Sequence, residues 1–401
     1  MRSFYAIRRL HFHAQVLGDW VEVACFPNRP RAMQRIKGIG TMSGTSMDGL
    51  DLVYCEYHEE SGHYQFEVLA SEMIPFDAKW RGRLLHLHTQ SAEVFAKTHI
   101  YFGHWLGKSI AAFIERNQLE PDFVAMHGQT IFHQPEKTFT FQIGDGETVA
   151  AYLSCPLVSN FRNKDLALGG EGAPLVPLGE QLLFPGYQLF LNLGGISNLS
   201  HGQVAFDVCP CNAILNLIYQ QAFPADEYDA GGAFAATGEL DPGLLSALNR
   251  LDYYRRAHPK SLGREWTDEV MLPLVMGSDL PWEDTLYTLV IHIAQQIASA
   301  VETLDISQES MLVTGGGRHH SFLMDQIKLA LKPLDIEIPE LNEHEAKWVD
   351  YKEAIIFGLL GMRTLQGLPT TMASVTGASH DVITGSIHLP PKGRSSLLTL
   401  R

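Results

Sequence analysis

Residues 40–49, with the sequence Gly-Thr-Met-Ser-Gly-Thr-Ser-Met-Asp-Gly, constrain the fold of this chain more than any other segment. They separate two short runs, residues 36–40 and 50–57, whose composition is typical of β-strands. A strand, a glycine-rich turn and a second strand form a hairpin, whereas a dinucleotide-binding fold places a helix after its glycine turn. The sequence therefore predicts an α/β fold that opens on a β-hairpin. The segment also lacks the Gly-Lys-Ser/Thr ending of a Walker loop.

The composition of this turn suits phosphate binding. Its glycines permit a close backbone approach, and backbone N–H groups together with the hydroxyls of Ser43, Thr45 and Ser46 can surround a phosphate. The carboxylate of Asp48 suits a hydrated Mg²⁺, since this hard cation prefers carboxylate and phosphate oxygens. The alternative is an ordinary hairpin turn. Because hairpin turns are commonly only about two to five residues long, we favour phosphate binding.

Two more glycine turns follow apolar runs in the second half of the chain. Gly194-Gly195 comes after residues 188–193, and Gly315-Gly316-Gly317 comes after residues 310–313. One such turn is weak evidence, since glycine runs are often plain turns, but three turns at strand ends are typical of a nucleotide site between two lobes. Helical periodicity follows in each half, and the chain therefore predicts a duplicated, two-lobed α/β fold with a nucleotide cleft. The expected helices cover residues 92–117, 212–222, 286–304 and 348–367.

The predicted domain organisation has four parts. They are an N-terminal extension over residues 1–35, a first lobe over 36–185 plus 345–388, a second lobe over 186–344 and a tail over 389–401. We expect the first lobe to carry the phosphate-binding hairpin and the contacts to a second substrate. The second lobe is expected to carry the catalytic acid and the glycine turn that binds adenosine.

Composition and charge narrow the functional classes. The chain has 401 residues, of which 45% are hydrophobic and 19% charged, as in a globular enzyme. A net charge of −15 argues against sequence-independent nucleic-acid binding, which relies on lysine and arginine. No apolar run of about 18 residues is present, so no membrane span is expected. Five scattered cysteines, an odd number, indicate reduced thiols and a cytoplasmic location.

Asp207 is the strongest candidate for a catalytic group. It directly follows the apolar run 203–206, so an ionised carboxylate at the end of a buried strand can accept a proton from a nucleophile. A helix N-cap is the alternative, but Cys211 and Asn212 lie closer to the start of the helix predicted at 212–222. In the first half, Arg162 and Lys164 precede a glycine-rich loop and form a candidate clamp for a carboxylate.

Residues 42–51, Met-Ser-Gly-Thr-Ser-Met-Asp-Gly-Leu-Asp, resemble the ATP-binding signature of the anhydro-N-acetylmuramic acid kinase family. The resemblance runs in the family's order over about residues 36–388, and its further motifs are 127–130, 142–145, 165–174, 192–198, 206–207, 260–265 and 374–379. It implies a two-lobed actin/hexokinase/Hsp70-like (ribonuclease H-like) fold with an interdomain nucleotide cleft. The reaction implied is the ATP-dependent hydrolytic opening of 1,6-anhydro-N-acetylmuramic acid with phosphorylation of O6. Its product, N-acetylmuramic acid 6-phosphate, belongs to the recycling of peptidoglycan sugar.

The resemblance also implies roles for individual residues. Asp207 matches the base that activates water, Glu353 matches an acid near the sugar, and Gln129 and Arg162 are expected to bind the substrate with it. ATP and Mg²⁺ are the implied cofactors, with Asp48 as the metal ligand. The expected ATP-binding residues are Gly44, Thr45, Ser46, Met47, Asp48, Gly49, Leu50, Asp51, Gly194, Gly195, Gly315, Gly316 and Gly317. The expected partner is a small sugar, and a homodimer is left open.

Three departures from the family pattern bear on turnover and nucleotide affinity. Cys209-Pro210-Cys211 stands where the family has Gly-Pro-Gly, and side chains there are expected to crowd a phosphate or distort the turn. The segment 229–232 is Asp-Ala-Gly-Gly instead of Asp-Lys-Asp-Gly, and His320 replaces an asparagine. These departures keep two alternatives open: a kinase for another anhydro-sugar, and a degenerate ATP-binding homologue.

Overall fold

The computed structural model describes residues 34–44, 47–60, 62–258 and 260–392, without the side chains of Gln34 and Arg264. The chain divides into two compact units, residues 1–34 and 35–401, and the description below concerns the second. Thr45 and Ser46 lie outside the described residues. So do residues 1–33 of the predicted extension and residues 393–401 of the predicted tail.

The described residues form two β-sheets surrounded by helices. The strands are β1 Gln34–Ser43, β2 Gly49–Glu60, β3 His63–Pro75, β4 Phe123–Gln134, β5 Phe139–Ile143, β6 Leu157–Ser159, β7 Leu189–Leu193, β8 Ile196–His201, β9 Val204–Pro210, β10 Met311–Thr314 and β11 Ser386–His388. The helices are α1 Ala78–Leu85, α2 Ala92–Asn117, α3 Gly146–Ala150, α4 Asn163–Ala167, α5 Val176–Leu183, α6 Asn212–Ala222, α7 Pro242–Asn249, α8 Arg264–Trp266, α9 Leu272–Met276, α10 Trp282–Glu302, α11 Ser321–Leu331, α12 Glu343–Trp348, α13 Lys352–Leu365 and α14 Ala373–Thr376. No helix among the described residues has the length and apolar character needed to span a bilayer.

The first sheet has seven strands in the order β11-β6-β4-β1-β2-β3, with β5 on β4. The predicted hairpin is present, since β1 and β2 are neighbours, and β2 pairs antiparallel with β3 along its whole length. Strand β4 lies parallel to β1, with Gly40 opposite Ala125. It continues to Gln134, beyond the run 123–126 expected from the sequence, because its second half pairs antiparallel with β5.

The second sheet has the order β10-β7-β8-β9. Strands β7 and β10 are parallel, whereas β8 pairs antiparallel with both β7 and β9. Both sheets thus mix parallel and antiparallel pairs, and the fold is α/β, as predicted. Because parallel strands end at the same edge of a sheet, the glycine turns that follow β7 and β10 lie side by side.

Two helices have the bounds that periodicity predicts, α2 and α6. The side chain of Ser91 accepts a hydrogen bond from Val94 N at 3.3 Å and caps the start of α2. Apolar side chains of α2 at three- and four-residue spacing, among them Phe102, Leu106 and Ile110, are buried against the first sheet. The predicted final helix is interrupted, since α12 ends at Trp348 and α13 begins at Lys352.

Apolar side chains of both sheets meet in one core cluster. Phe190 of β7 and Leu312 of β10 pack with Phe184 and Trp348. The ring centroids of Phe184 and Trp348 are 4.9 Å apart, and those of Phe184 and Phe190 are 6.3 Å apart. The second sheet has a further core of its own against α6, α10 and α11. This shared cluster joins the two sheets within the unit.

Candidate active site

The turn between β1 and β2 is held by a buried amide of β4. Ser43 Oγ donates a hydrogen bond to Oε1 of Gln129, and Nε2 of Gln129 donates to the carbonyl of Gly44 at 3.1 Å. Met47 has a φ of +53°, and its N–H donates to the same carbonyl at 3.3 Å. The amide of Gln129, which is 0% exposed, therefore shapes the predicted phosphate-binding turn. Contact between Gln129 and a sugar stays a prediction.

Carboxylates follow this turn along β2. Asp48 is exposed, and its Oδ1 accepts the N–H of Gly49 at 2.9 Å. The pKa of Asp51 is raised to about 7, first by burial and then by the negative charges of Asp48 and Glu353. Leu50, between them, is 1% exposed and packs in the core, so only its backbone is available to a ligand. The structure thus brings Glu353, 302 positions along the chain from Asp51, to the end of the hairpin.

Close packing of α13 on the first sheet places Glu353. A side chain at Gly40 would overlap the carbonyl oxygen of Ala354, so the helix backbone lies directly on β1. Tyr57 of β2 is buried and donates a 2.7 Å hydrogen bond to the carbonyl of Ile355. Glycine at position 40 is therefore required by this contact, and the helix start reaches the site because of it.

Arg162 connects the glycine-rich loop to β4. Its Nε and Nη2 lie 3.2 and 2.9 Å from Nε2 of His127, and its Nη1 donates to the carbonyl of Gly172 at 2.9 Å. Burial and the adjacent guanidinium lower the pKa of His127 to about 3, so its ring is neutral and its Nε2 accepts. The pKa of Arg162 falls to about 10 through burial, opposed by Glu353. Arg162, His127 and Glu353 thus form one cluster.

The neighbouring lysine does not join this cluster. Lys164 Nζ donates to the backbone carbonyl of Ile383 at 2.7 Å, on the exposed side of the loop. The suggested Arg162–Lys164 clamp is therefore wrong for its second member, because the lysine side chain is used to hold the C-terminal segment.

Sequence reasoning missed the role of Asp165. This carboxylate is 0% exposed, and it accepts the N–H of Gly172 at 2.8 Å and the hydroxyl of Thr376 at 2.8 Å. The N–H of Glu171 also donates to the carbonyl of Thr376 at 2.8 Å. Asp165 therefore fixes the loop whose Gly172 carbonyl binds Arg162. Both partners lie in motifs that the sequence analysis had singled out, residues 165–174 and 374–379, but only the fold shows that these two motifs are in contact.

The two glycine turns of the second sheet pack against each other. A Cβ at Gly315, where φ is +83°, would overlap Asn192, and one at Gly317 would lie 2.7 Å from Cβ of Leu193. Between the turns lies the start of α6. The side-chain amide of Asn212 donates to the carbonyl of Leu193 at 2.8 Å, and the backbone N–H of Asn212 donates to the carbonyl of Gly194 at 3.1 Å.

These turns leave room for a ligand on one side. A Cβ added at Gly194, Gly195 or Gly316 would meet nothing closer than 3.4 Å, in contrast to Gly315 and Gly317. The nearby start of α6, capped by Cys211 without a side-chain hydrogen bond, carries the positive end of a helix dipole. The arrangement suits an anionic phosphate group.

Asp207 lies in β9, opposite Asn198 of β8, and is partly buried. Its Oδ2 accepts the N–H of Leu262 at 2.8 Å, and its backbone carbonyl accepts the hydroxyl of Tyr253 at 2.6 Å. Burial raises the pKa of the carboxyl to about 6, although the Leu262 hydrogen bond opposes that shift. Asp207 does not cap α6, whose N-cap is Cys211. A carboxylate with this pKa is suited to accept a proton near neutral pH.

The thiols of the Cys-Pro-Cys segment are buried, and that of Cys211 lies 3.8 Å from Oδ1 of Asn212. Cys209 and Cys211 are both 0% exposed and belong to the apolar core of the second sheet. The Sγ of Cys209 lies 3.3 Å from Oγ of Ser197. The expectation that these side chains crowd a phosphate is therefore wrong, because their Cβ atoms are directed into the core.

The departure at position 320 lies next to the segment 229–232. His320 caps α11, with Nδ1 accepting the N–H of Leu323 at 3.1 Å, and its ring occupies the position that a side chain at Gly232 would need. Gly232 has a φ of +72°, which glycine adopts without strain. His320 therefore packs against Gly232, which the family pattern shares, and not against the two changed positions, 230 and 231.

The chemistry of these residues fits a magnesium–nucleotide complex. Mg²⁺ is commonly bound through one or two carboxylates together with phosphate oxygens and waters, and Asp48 offers an exposed carboxylate on the glycine turn. No group of three or more histidine, cysteine, aspartate or glutamate residues suited to hold a metal occurs in the described part of the chain. An ion carried mainly by phosphates fits this donor set.

Comparisons with known proteins show which family the chain matches. The family model described as anhydro-N-acetylmuramic acid kinase matches residues 36–390. The anhydro-N-acetylmuramic acid kinase of Shewanella oneidensis is 34% identical over 375 residues, which cover 88% of this chain and 98% of that protein. The protein of the same name from Pseudomonas syringae pv. tomato is 32% identical over 369 residues, covering 87% and 98% of the two chains.

Solved structures show a more distant similarity. The hexokinase of Schistosoma mansoni complexed with glucose aligns over 81% of this chain and 85% of that one, with 10% identity and a TM-score of 0.39. The activator of the 2-hydroxyisocaproyl-CoA dehydratase from Clostridium difficile with bound ADPNP covers 81% and 93%, with 13% identity and a TM-score of 0.38.

Proposed function

The chain belongs to the anhydro-N-acetylmuramic acid kinase family, and on that basis we propose that it converts 1,6-anhydro-N-acetylmuramic acid, water and ATP to N-acetylmuramic acid 6-phosphate and ADP. The observation that carries the proposal is Asp207, with Oδ2 fixed by Leu262 and a pKa raised to about 6. We assign this reaction to recycling of cell-wall sugar.

Asp207 is the general base of the proposed reaction. Its carboxylate takes a proton from water while the water oxygen forms a bond to the anomeric carbon. The bond from that carbon to the bridging O6 breaks, O6 bonds to the terminal phosphorus of ATP, and ADP leaves. A glycosidase needs a carboxylic acid to protonate its leaving oxygen. Here the phosphorus takes the electrons of O6, so one carboxylate suffices.

The nucleotide is proposed to bind to the three glycine turns. The hairpin turn that Gln129 shapes supplies N–H groups to phosphates, and the paired turns at Gly194 and Gly316 lie beside the start of α6. Asp48 is the proposed magnesium ligand. Bound Mg²⁺ would neutralise charge on the phosphates during transfer.

The sugar is proposed to bind to the Arg162 cluster. Arginine has five N–H donors, and contacts with the described residues engage three of them, on His127 and Gly172, which leaves two for the carboxylate of the lactyl group. Glu353 accepts from sugar hydroxyls, and Gln129 supports the site from β4. The alternative of a degenerate ATP-binding homologue was based mainly on Cys209 and Cys211. It is weakened because both cysteines belong to the core.

The Asp207→Asn variant tests the function. Asparagine keeps the size of the side chain but cannot accept a proton, so ring-opened product and ADP should fall together by on the order of 100- to 10,000-fold. ATP binding should stay close to that of the wild type. Asp252→Asn, an exposed aspartate paired with Arg255, is the matched control and should keep full activity. A wild-type protein that releases no ADP with the anhydro-sugar would refute the proposal.

Substrate choice is tested at Arg162. Arg162→Lys should raise the KM for anhydro-N-acetylmuramic acid at least tenfold, since lysine lacks the two-pronged geometry, while the KM for ATP stays constant. Lys164→Ala is the control. If the wild type instead prefers an anhydro-sugar without a carboxylate, such as levoglucosan, the alternative sugar kinase is correct.

We further propose that the enzyme works in the cytoplasm. Cys55, Cys209 and Cys211 are buried free thiols, in keeping with a reducing compartment, and Cys155 is buried as well. Homodimerisation stays a prediction, to be checked by sedimentation.

A further inference from the structure

A buried ion pair adjoins the sugar site without belonging to it. Lys352, the first residue of α13, directly precedes Glu353, and its Nζ forms a salt bridge with Oε1 of Glu180 on α5. Both side chains are only 4% exposed. Apolar residues of similar size often replace such a pair without loss of stability, because burying two charges costs desolvation energy. Stability alone therefore gives little reason for charges at this position.

The pair lies where the two sheets meet. Ser200 of β8 donates its hydroxyl to Oε2 of Glu180 at 2.6 Å, so the two oxygens of this carboxylate bind one partner each. On the other side, Nζ of Lys352 lies 5.3 Å from the ring centroid of Phe190 on β7. Two elements that pack on the first sheet, α5 and α13, are thus fastened to the second sheet through one buried charge pair.

Charges from several elements act on Glu353. Lys352 on its own helix and Arg162 ahead of α4 favour its ionised form, whereas burial and Glu180 on α5 disfavour it. Asp51 on β2 also faces Glu353, and the two carboxylates repel each other. The balance leaves the pKa of Glu353 above its ordinary value, with Lys352 the larger of the charge effects.

We propose that Glu180 and Lys352 are a positioning pair for the sugar site. They fix the start of α13 against β8, and Lys352, whose effect on Glu353 exceeds the opposing effect of Glu180, favours the ionised carboxylate that binds the sugar. Neither side chain contacts the sugar. This inference rests on the proposed function, which gives Glu353 its role.

The two members of the pair have opposite effects on Glu353, and this makes the inference testable. The test measures the affinity for the anhydro-sugar by calorimetry over a range of pH values. The full-length protein carries Asp207→Asn as the parent variant, because this substitution removes both turnover and the titration of Asp207. In Lys352→Met the pH at which sugar binding is lost on acidification should move up, and near pH 5 binding should weaken on the order of tenfold. In Glu180→Gln the same pH should move down, although the same salt bridge is lost.

If Lys352→Met alone fails to fold, a double variant still tests the inference, because removing both side chains of the pair leaves no buried charge unpaired. In Glu180→Gln/Lys352→Met the pH of binding loss should lie above that of the parent and below that of Lys352→Met. Thr364→Val is the control: it removes a buried hydroxyl near the other end of α13, bonded to Leu360 O and Thr384 O, and should leave the pH dependence unchanged.

Three results would overturn the inference: both single variants shifting in the same direction, neither shifting, or the double variant binding like the parent. Failure of the proposed function looks different. In that case the Asp207→Asn parent would bind no anhydro-sugar at any pH, and the wild type would release no ADP with it.

Discussion

The backbone N–H of Leu262 donates a 2.8 Å hydrogen bond to Oδ2 of Asp207, although the two residues are 55 positions apart. The backbone N–H of Asp207 in turn donates to the carbonyl of Lys260 at 3.1 Å. Strand β9 and the segment after α7 thus hold each other. Within the described part of the chain, Oδ1 of Asp207 has no hydrogen-bond partner, and it is the oxygen we expect to take the proton.

The pH dependence of turnover should follow the ionisation of Asp207. A general base acts in its ionised form, and burial raises the pKa of this group from 3.8 to about 6. The value of kcat/KM for the sugar should therefore fall as the pH drops below about 6, tenfold for each further pH unit. Steady-state rates between pH 4.5 and 8 check this, with ATP saturating. Loss of activity only near pH 4 would contradict the assignment.

The ionised carboxylate of Asp207 should lower the stability of the folded protein. A carboxyl whose folded pKa is raised destabilises the fold above about pH 6, where it is ionised, and has no such effect below its ordinary pKa of 3.8. Asp207→Asn should therefore raise the free energy of unfolding at pH 8 by about 3 kcal/mol and leave it nearly unchanged near pH 3.5. Urea unfolding at the two pH values measures the difference. An equal effect at both would indicate lost or gained packing instead.

Replacing Gly170 should weaken the affinity for the sugar. A Cβ there would overlap Oδ2 of Asp165 and lie 3.0 Å from Cβ of Ala378, so Gly170→Ala must displace the loop that binds Arg162. We expect a rise of roughly tenfold in the sugar KM and a loss of about 1–3 kcal/mol in stability. Gly82→Ala is the matched control. It lies in α1 with open space around it and should stabilise by about 0.5–1 kcal/mol.

Glycines at 209 and 211 should weaken the fold rather than improve catalysis. Restoring the family's usual residues removes two side chains that are 0% exposed from the core of the second sheet. Cys209→Gly/Cys211→Gly should lower the free energy of unfolding by about 2–4 kcal/mol, through cavities and added backbone freedom, with the KM for ATP unchanged. Cys55→Ala, also 0% exposed but in the first sheet, provides the comparison. A clear gain in ATP affinity would show that the thiols crowd the nucleotide after all.

Much of the local structure could be predicted from the sequence. Periodicity gave the bounds of α2 and α6, and glycine placement predicted the hairpin and the turns after β7 and β10. These features are local, since a helix repeat or a turn depends on residues a few positions apart. The order of the motifs was likewise enough to predict the family.

Tertiary structure decided which distant residues meet. Strands β6 and β11 are three residues each, too short for an alternating pattern, and they form because β6 pairs with β4 and β11 pairs with β6. Contacts across the fold placed Asp165 on Thr376 and the cysteines in the core. The raised pKa values of Asp51 and Asp207 have the same origin. Burial and charge act through space, so they depend on neighbours that the order of residues along the chain does not specify.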